Sequence, residues 1–142
     1  MNNNTPPQYT SEGSLIVSVY TAGGAFPIEG ALVTIRGNSN QNSGIISVNL
    51  TDSSGNTPKI FLPAPPAKNS ESPGNSLPFG TYNIEVDKSN FYKKTFLNVP
   101  IFANTTSIQP VNLIPLTEYQ GQAIIPNDNT VIEEQNPSLK GE

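Results

Sequence analysis

The stretch from Leu15 to Gly37 reads LIVSVYTAGGAFPIEGALVTIRG and decides the fold. Its two apolar runs alternate with a period of two, and both are rich in β-branched residues, which is typical of strands half-buried in a sheet. The residues that share one face are Leu15, Val17 and Val19 in the first run, and Ala31, Val33 and Ile35 in the second. Gly23, Gly24, Pro27 and Gly30 lie between the runs, where they exclude a helix and permit a reversal.

The rest of the chain favours the same class of structure. The 142 residues include 11 glycines and 14 prolines, and no window carries the i, i+3, i+4, i+7 apolar pattern of a helix. Further alternating runs follow, the clearest of them at 81–86, where Tyr82, Ile84 and Val86 share a face. Within 106–116 the alternation slips at Pro110, which predicts a bulge. We therefore predict an all-β fold with seven strands in a sandwich.

Both ends differ from the middle in composition. Residues 1–13 are polar and proline-containing, and residues 117–142 are polar and acidic with two short apolar patches. Such segments bury too little apolar surface to offset their ordering entropy. We predict an extended N-terminal arm (1–13), a β-sandwich (14–116) and an extended acidic C-terminal arm (117–142). Residues 1–13 also lack the charged and apolar regions of a secretory signal peptide, and none is expected.

Charge and chemistry exclude several function classes. The net charge is −4, and most of it belongs to the C-terminal segment, so no basic patch favours nucleic acid. The chain contains no Cys and no His, which excludes Ser–His or Cys–His catalysis and a His/Cys metal site. We expect no enzyme activity and no cofactor. No apolar run approaches the length of a membrane span.

Carboxylates are the remaining candidates for a metal site. Glu85 and Asp87 fall on one strand face, and Asp52 follows an earlier strand. They could bind a hard cation such as Ca²⁺, or they could form a solvated strand face and an ordinary turn aspartate. The sequence leaves both interpretations open.

Candidate assembly residues lie in the C-terminal arm and on one strand. The patches Ile124-Ile125 and Val131-Ile132 are short and strand-like, which suits addition to an open sheet edge. Lys93 and Lys94 form a short basic run. This run could protect a strand edge from unwanted pairing, or it could receive the acidic arm of a neighbouring copy.

Four further segments carry a resemblance to a known family. They are GAFPIEGALVTIR (24–36), TDSSG (51–55), LPAPP (62–66) and GTYNIEV (80–86). Together they resemble the carboxypeptidase regulatory-like family, a transthyretin-like, seven-stranded β-sandwich. With NVPIF (98–102) and the run 107–116, the chain is similar to standalone proteins and N-terminal modules of clostridial-type Firmicutes, some of them in spore cortex-lytic enzymes.

The resemblance implies an accessory module rather than a catalyst. The hydroxyisourate hydrolases share the fold, but they need His residues and a C-terminal Tyr-Arg-Gly-Ser that this chain lacks. Isopeptide-stapled adhesin repeats need a Lys in the first strand, whereas the first Lys here is Lys59.

Two functions remain from these observations. The first is a structural subunit of a filament or layer, associated with a spore or cell surface, whose arms pair with neighbouring copies in a homo-oligomer or polymer. The second is a binding or targeting module for peptidoglycan or spore envelope. The chain lacks Trp, and Tyr9, Tyr92 and Tyr119 are the tyrosines that could contact a sugar.

Overall fold

The computed structural model describes residues 11–38, 43–66 and 79–116, together with the backbone of residues 130–133. Nine strands form in these ranges, and eight of them are at least four residues long, against the seven predicted. The strands are β1 (Ser11–Thr21), β2 (Phe26–Pro27), β3 (Leu32–Gly37), β4 (Ile45–Leu50), β5 (Ile60–Ala64), β6 (Phe79–Asp87), β7 (Lys93–Phe102), β8 (Thr106–Leu113) and β9 (Thr130–Glu133).

The strands form two sheets that pack as a β-sandwich, which confirms the predicted fold class. Sheet A contains β2, β1, β5 and β8, and sheet B has the order β4-β3-β6-β7-β9. A short 3₁₀ turn, Ala22–Gly24, connects β1 to β2. The extra strand beyond the seven predicted is β9, which comes from the segment predicted to be an extended arm.

Strand β1 is the centre of sheet A. On one side it pairs in parallel with β8, from Ser14 opposite Thr106 to Thr21 opposite Leu113, without a register shift. On the other side it pairs antiparallel with β5 and, at its far end, with β2. The continuous β1–β8 register shows that the bulge predicted at Pro110 is wrong. Because side chains alternate along β8 without interruption, Ile108 lies on the outer face, where it is 65% exposed.

Sheet B is antiparallel throughout and is irregular at two places. The β3–β4 register shifts between Ile35 and Arg36, so that Ile45 opposes Arg36. The β6–β7 register shifts between Tyr82 and Ile84, because Leu97 and Asn98 together occupy the space opposite Asn83. Asn98 has a φ of 60° at this bulge.

The core lies between the sheets and is built from the faces that the alternation predicts. The apolar side chains that are at most 1% exposed include Leu15, Val17, Val19, Ala31, Val33, Ile35, Ile84 and Val86. Complete burial of an aliphatic side chain contributes about 1.5–3 kcal/mol, so these alternating positions are the main source of stability. Tyr82 is also buried, and its hydroxyl donates to the Pro63 oxygen.

The turn after β4, TDSSG (51–55), uses its Asp and its Gly in the ways that turns commonly use these residues. Asp52 Oδ1 accepts hydrogen bonds from the backbone N–H groups of Ser54 and Asn56, at 2.9 and 3.0 Å. Gly55 has a φ of 85°, a conformation that only glycine adopts without strain. Beside the turn, the buried Thr51 hydroxyl donates to Ile28 O and accepts from Ala31 N–H. These bonds attach the turn to the start of β3.

The strand ends differ from the predicted segment boundaries. β1 begins at Ser11, inside the segment predicted to be an arm, and Ser11–Gly13 pair with β5. β9 lies inside the predicted C-terminal arm. Both additions have one physical reason: strands pair through backbone hydrogen bonds, and a polar segment can make these bonds as well as an apolar one.

Replacing Gly55 by Ala should destabilise the fold, whereas replacing Gly44 should not. A Cβ at residue 55 would overlap the backbone oxygen of Val19, and the positive φ alone costs about 1–3 kcal/mol. At residue 44, apart from its two chain neighbours, no atom of the described residues lies within 4 Å of the new Cβ. Urea denaturation should therefore show a lower midpoint for Gly55→Ala and an unchanged midpoint for Gly44→Ala. Equal midpoints would contradict the role assigned to Gly55.

Candidate assembly surfaces

The structure brings together four of the six predicted assembly residues at one edge of sheet B. β9 pairs antiparallel with β7, so that Lys93 lies opposite Glu133, Lys94 opposite Ile132 and Thr95 opposite Val131. The acidic arm of a neighbouring copy was one of two interpretations that the sequence left open for the Lys93–Lys94 run, but here β9 and β7 belong to the same chain. Residues 114–129 are long enough to return the strand to its own sheet. The other two predicted residues, Ile124 and Ile125, lie outside the described residues.

Lys93 and Lys94 point to opposite faces of sheet B, because successive side chains alternate along a strand. Lys94 is 7% exposed on the inner side, beside the core. Lys93 lies on the outer face, where its Nζ is 3.7 Å from Glu85 Oε1. The two lysines therefore do not form one basic patch.

Glu85 is the centre of an ionic cluster on this outer face. Arg36 Nε donates to Glu85 Oε2 at 2.8 Å, while Lys93 approaches the other carboxylate oxygen. The three residues lie on neighbouring strands β3, β6 and β7. Since all three remain partly exposed, each pair stabilises the fold by at most about 1 kcal/mol. The carboxylate of Glu85, a candidate cation ligand in the sequence, is therefore already paired with Arg36 and Lys93.

The predicted carboxylate site does not form in the described part of the chain. Glu85 and Asp87 share the outer face of β6, as their spacing predicts, but Glu85 is paired with two cations. Asp52 accepts from backbone amides of its own turn. Among the described residues, no group of three or more Asp or Glu side chains could bind a metal ion.

The tyrosines offered as sugar contacts do not form an exposed platform in the described chain. Tyr92 is 7% exposed, and its backbone N–H donates to Ile114 O at 2.9 Å. Its ring is therefore buried, and its backbone is bonded to the chain that follows β8. Tyr9 and Tyr119 lie outside the described residues.

Strand β4 exposes an apolar surface that the alternation of the sequence does not reveal. Ile45, Ile46, Val48 and Leu50 are 56, 38, 53 and 59% exposed, and Leu32, opposite Leu50, is 40% exposed. Within the described residues β4 pairs only with β3, so its other edge is open. β4 also carries no charged side chain to protect that edge. The absence of charged residues in 45–50 is the sequence signal that could have indicated an open edge. Alternation alone does not tell which face of the strand packs against the core.

Comparison with known proteins gives structural likenesses only. No family model matches the chain, and no curated protein matches it. Similar solved structures include the Bacillus anthracis TIE protein (14% identity, 74% of this chain and 17% of that one, TM-score 0.48). The minor pilin GBS52 of Streptococcus agalactiae has 16% identity over 82% of this chain and 48% of its own, with a TM-score of 0.48.

A chain of a type II cohesin–X–dockerin complex from Acetivibrio cellulolyticus has 20% identity over 71% of this chain and 56% of its own, with a TM-score of 0.42. The present chain thus spans between 17 and 56% of the lengths of these three proteins. With TM-scores below 0.5, none of these likenesses carries a functional inference for this chain.

None of the described residues belongs to a helix with the length and apolar character that crossing a bilayer requires.

The open edge of β4 should be a site of self-association at high protein concentration. Val48→Lys places a charge on this edge at a position already half exposed, so the variant should fold normally and associate less. Sedimentation velocity over a concentration series measures the effect. Ile108→Lys in sheet A, where Ile108 is 65% exposed, is the matched control. If both variants reduce association equally, total apolar exposure rather than the β4 edge is responsible.

Proposed function

We propose that this protein is a non-enzymatic structural subunit that assembles by exchanging its C-terminal strand with neighbouring copies. The observation that supports the proposal is the pairing of β9 with the edge strand β7. In an assembly, β9 of one copy pairs with Lys93–Phe96 of the next copy, in the register seen within one chain. Val131 and Ile132, which the sequence identifies as assembly residues, lie within this exchanged strand.

β9 is suited to exchange because it is short and peripheral. It has four residues, it pairs with one strand, and it closes no part of the β1–β8 ladder. Local openings of such an edge element cost far less free energy than global unfolding. A copy that loses β9 therefore keeps its sandwich and exposes the β7 edge.

The connection to β9 is long enough to reach another molecule. Residues 114–129 separate β8 from β9, and sixteen residues span at most about 55 Å when fully extended. The exchanged strand makes the same backbone hydrogen bonds in either arrangement. Exchange of an identical element is consequently a low-cost route to association.

The protein concentration decides whether β9 pairs with its own sheet or with the sheet of another copy. A tethered strand meets its own sheet at an effective concentration in the millimolar range, so dilute protein keeps β9 within the chain. In a crowded layer, the β7 edges of neighbouring copies reach a similar concentration, so they bind β9 as often as its own edge does. Each copy donates one strand and receives one, so a contact that does not close by rotation produces a filament, and one that closes produces a ring.

The resemblance to carboxypeptidase regulatory-like modules supports the finer parts of the proposal. It suggests membership of that family and a place at a bacterial spore or cell surface. A module of this kind adds no chemistry of its own and gains its function through contacts with its neighbours.

Two single-cysteine variants test the exchange, because the natural chain contains no Cys. Thr95 and Val131 are direct partners in the β7–β9 register. We expect a mixture of Thr95→Cys and Val131→Cys proteins at high concentration to form a disulfide-linked heterodimer under mild oxidation. Non-reducing electrophoresis and mass spectrometry identify the linked peptides.

Three controls keep this experiment decisive. The double variant, with both cysteines in one chain, should cross-link internally in dilute solution. A mixture of Val131→Cys with Ile108→Cys, whose cysteine lies in sheet A, reports random encounter. Deletion of residues 117–142 should leave a folded protein that no longer assembles by strand exchange. If the Thr95–Val131 mixture links no more than the Ile108 control while the double variant links fully, β9 stays within its own chain and the proposal is wrong.

A further inference from the structure

A second surface of sheet B differs in composition from the β7 edge where β9 pairs. On the outer face of β6, Phe79, Thr81 and Asn83 follow one another at every second residue. Asn38 follows the end of β3 on one side, and the β7 residues Asn98, Pro100 and Phe102 lie on the other. We define these seven residues as the amide–aromatic surface. None of them is charged.

Its polar half is a connected hydrogen-bond network. Thr81 Oγ1 donates to Asn38 Oδ1 at 2.9 Å, and Asn38 Nδ2 donates to Asn98 Oδ1 at 2.7 Å. The backbone N–H of Asn98 donates to Asn83 Oδ1 at 3.0 Å. The network thus joins β6 and β7 to the residue that follows β3, on the outer face of the sheet, where water could satisfy the same groups.

The backbone at Asn98 is shaped to complete this network. Asn98 lies in the β6–β7 bulge with a φ of 60°, so its side chain leaves the normal alternation of β7. Bulges occur frequently beside functional sites, where they change the direction of a side chain. Hydrogen bonds between exposed groups contribute little net stability. The stability of the fold therefore gives no sufficient reason for the arrangement.

The aromatic half lies directly beside the amides. Phe79 and Phe102 pack edge to face, with ring centroids 5.3 Å apart and an interplanar angle of 61°. Phe102 remains 39% exposed. From Phe79 to Asn83, four residues of strand cover about 13 Å, which is about the length of two to three linked hexose rings.

We propose that the amide–aromatic surface binds a neutral polysaccharide of hexopyranose units. A pyranose ring has apolar C–H faces, which fit an exposed aromatic ring, and hydroxyl groups at its rim that both donate and accept. An Asn amide likewise donates and accepts. Within the described chain, the amide hydrogens of Asn83 and Asn98 make no hydrogen bond, so they are available to a ligand.

The electrostatics of the surface favour a neutral ligand. Among the described residues, Arg36 is the charged residue that lies opposite Asn83 in the register, and Glu85 already neutralises it at 2.8 Å. The seven residues of the amide–aromatic surface themselves offer no cation to a polyanion and no carboxylate to a polycation. Sugar binding at the amide–aromatic surface does not depend on exchange of β9, since this surface and the β7–β9 pairing use different residues.

Titration of ¹⁵N-labelled full-length protein with chitotetraose and with cellotetraose tests the proposal. The two sugars share the pyranose faces and differ in the acetamido group, so they distinguish an N-acetylated from an unmodified glycan. We expect binding in the millimolar range, with shifts concentrated on the side-chain amides of Asn38, Asn83 and Asn98.

Asn98→Gly removes the amide without straining the backbone, because Gly accepts the positive φ. It should raise the Kd about tenfold, the loss expected for about two hydrogen bonds. Asn104→Gly is the matched control, since Asn104 has a φ of 59° but lies in the turn between β7 and β8. It should leave the Kd unchanged. Phe102→Ala should weaken binding, whereas Phe26→Ala, at a 62% exposed ring in sheet A, should not.

Several results would overturn the proposal. These are the absence of shifts with either sugar, equal binding by the Asn98→Gly and Asn104→Gly variants, and tighter binding of polygalacturonate, a polyanion, than of both neutral sugars. Urea denaturation of each variant checks that any loss of binding occurs in a folded protein.

Discussion

The parallel ladder between β1 and β8 is the interaction on which the rest of the structure depends. It joins two segments about 92 residues apart in the sequence, and a side-chain hydroxyl bond closes each end. Ser14 Oγ and Thr106 Oγ1 lie 2.8 Å apart at one end, and Thr21 Oγ1 donates to Leu113 O at 2.8 Å at the other. Because β5, β2 and the turn after β4 all attach to the other side of β1, this ladder also fixes their positions.

With the core closed in this way, the outer face of sheet B is divided into regions of different chemistry. β4 is apolar, the centre holds the Arg36–Glu85–Lys93 ionic cluster, and the far end holds uncharged amides and aromatic rings. On the inner face, the side chains of Val33 and Ile35 in β3 and of Ile84 and Val86 in β6 are apolar and fully buried. A sandwich needs only one face of each sheet for stability, so the other face is free to carry contacts.

The edges of sheet B differ in how firmly they are occupied. Among the described strands, β4 pairs with β3 along its length and with no strand on its outer edge. At the opposite side, the described pairing of the β7 edge is limited to Lys93–Phe96, which lie opposite the four-residue strand β9. A short strand at the edge of a sheet opens at a lower free-energy cost than the central strands of the core. Such a strand lies where exchange is proposed.

The sequence by itself determined the all-β class, the buried faces of β1, β3 and β6, and the Asp52–Gly55 turn, because alternation and turn chemistry are local properties. It also determined which residues could pair at an edge, Lys93, Lys94, Val131 and Ile132, though not that they meet within one chain. Only the tertiary structure decided that the apolar residues of β4 face water, that the two lysines lie on opposite faces, and that Asn38, Asn83 and Asn98 join in one network. Each of these depends on which strands become neighbours and where a bulge shifts the register. Strand neighbours and register are set by pairing between residues far apart in the chain, and a local sequence pattern carries no information about that pairing.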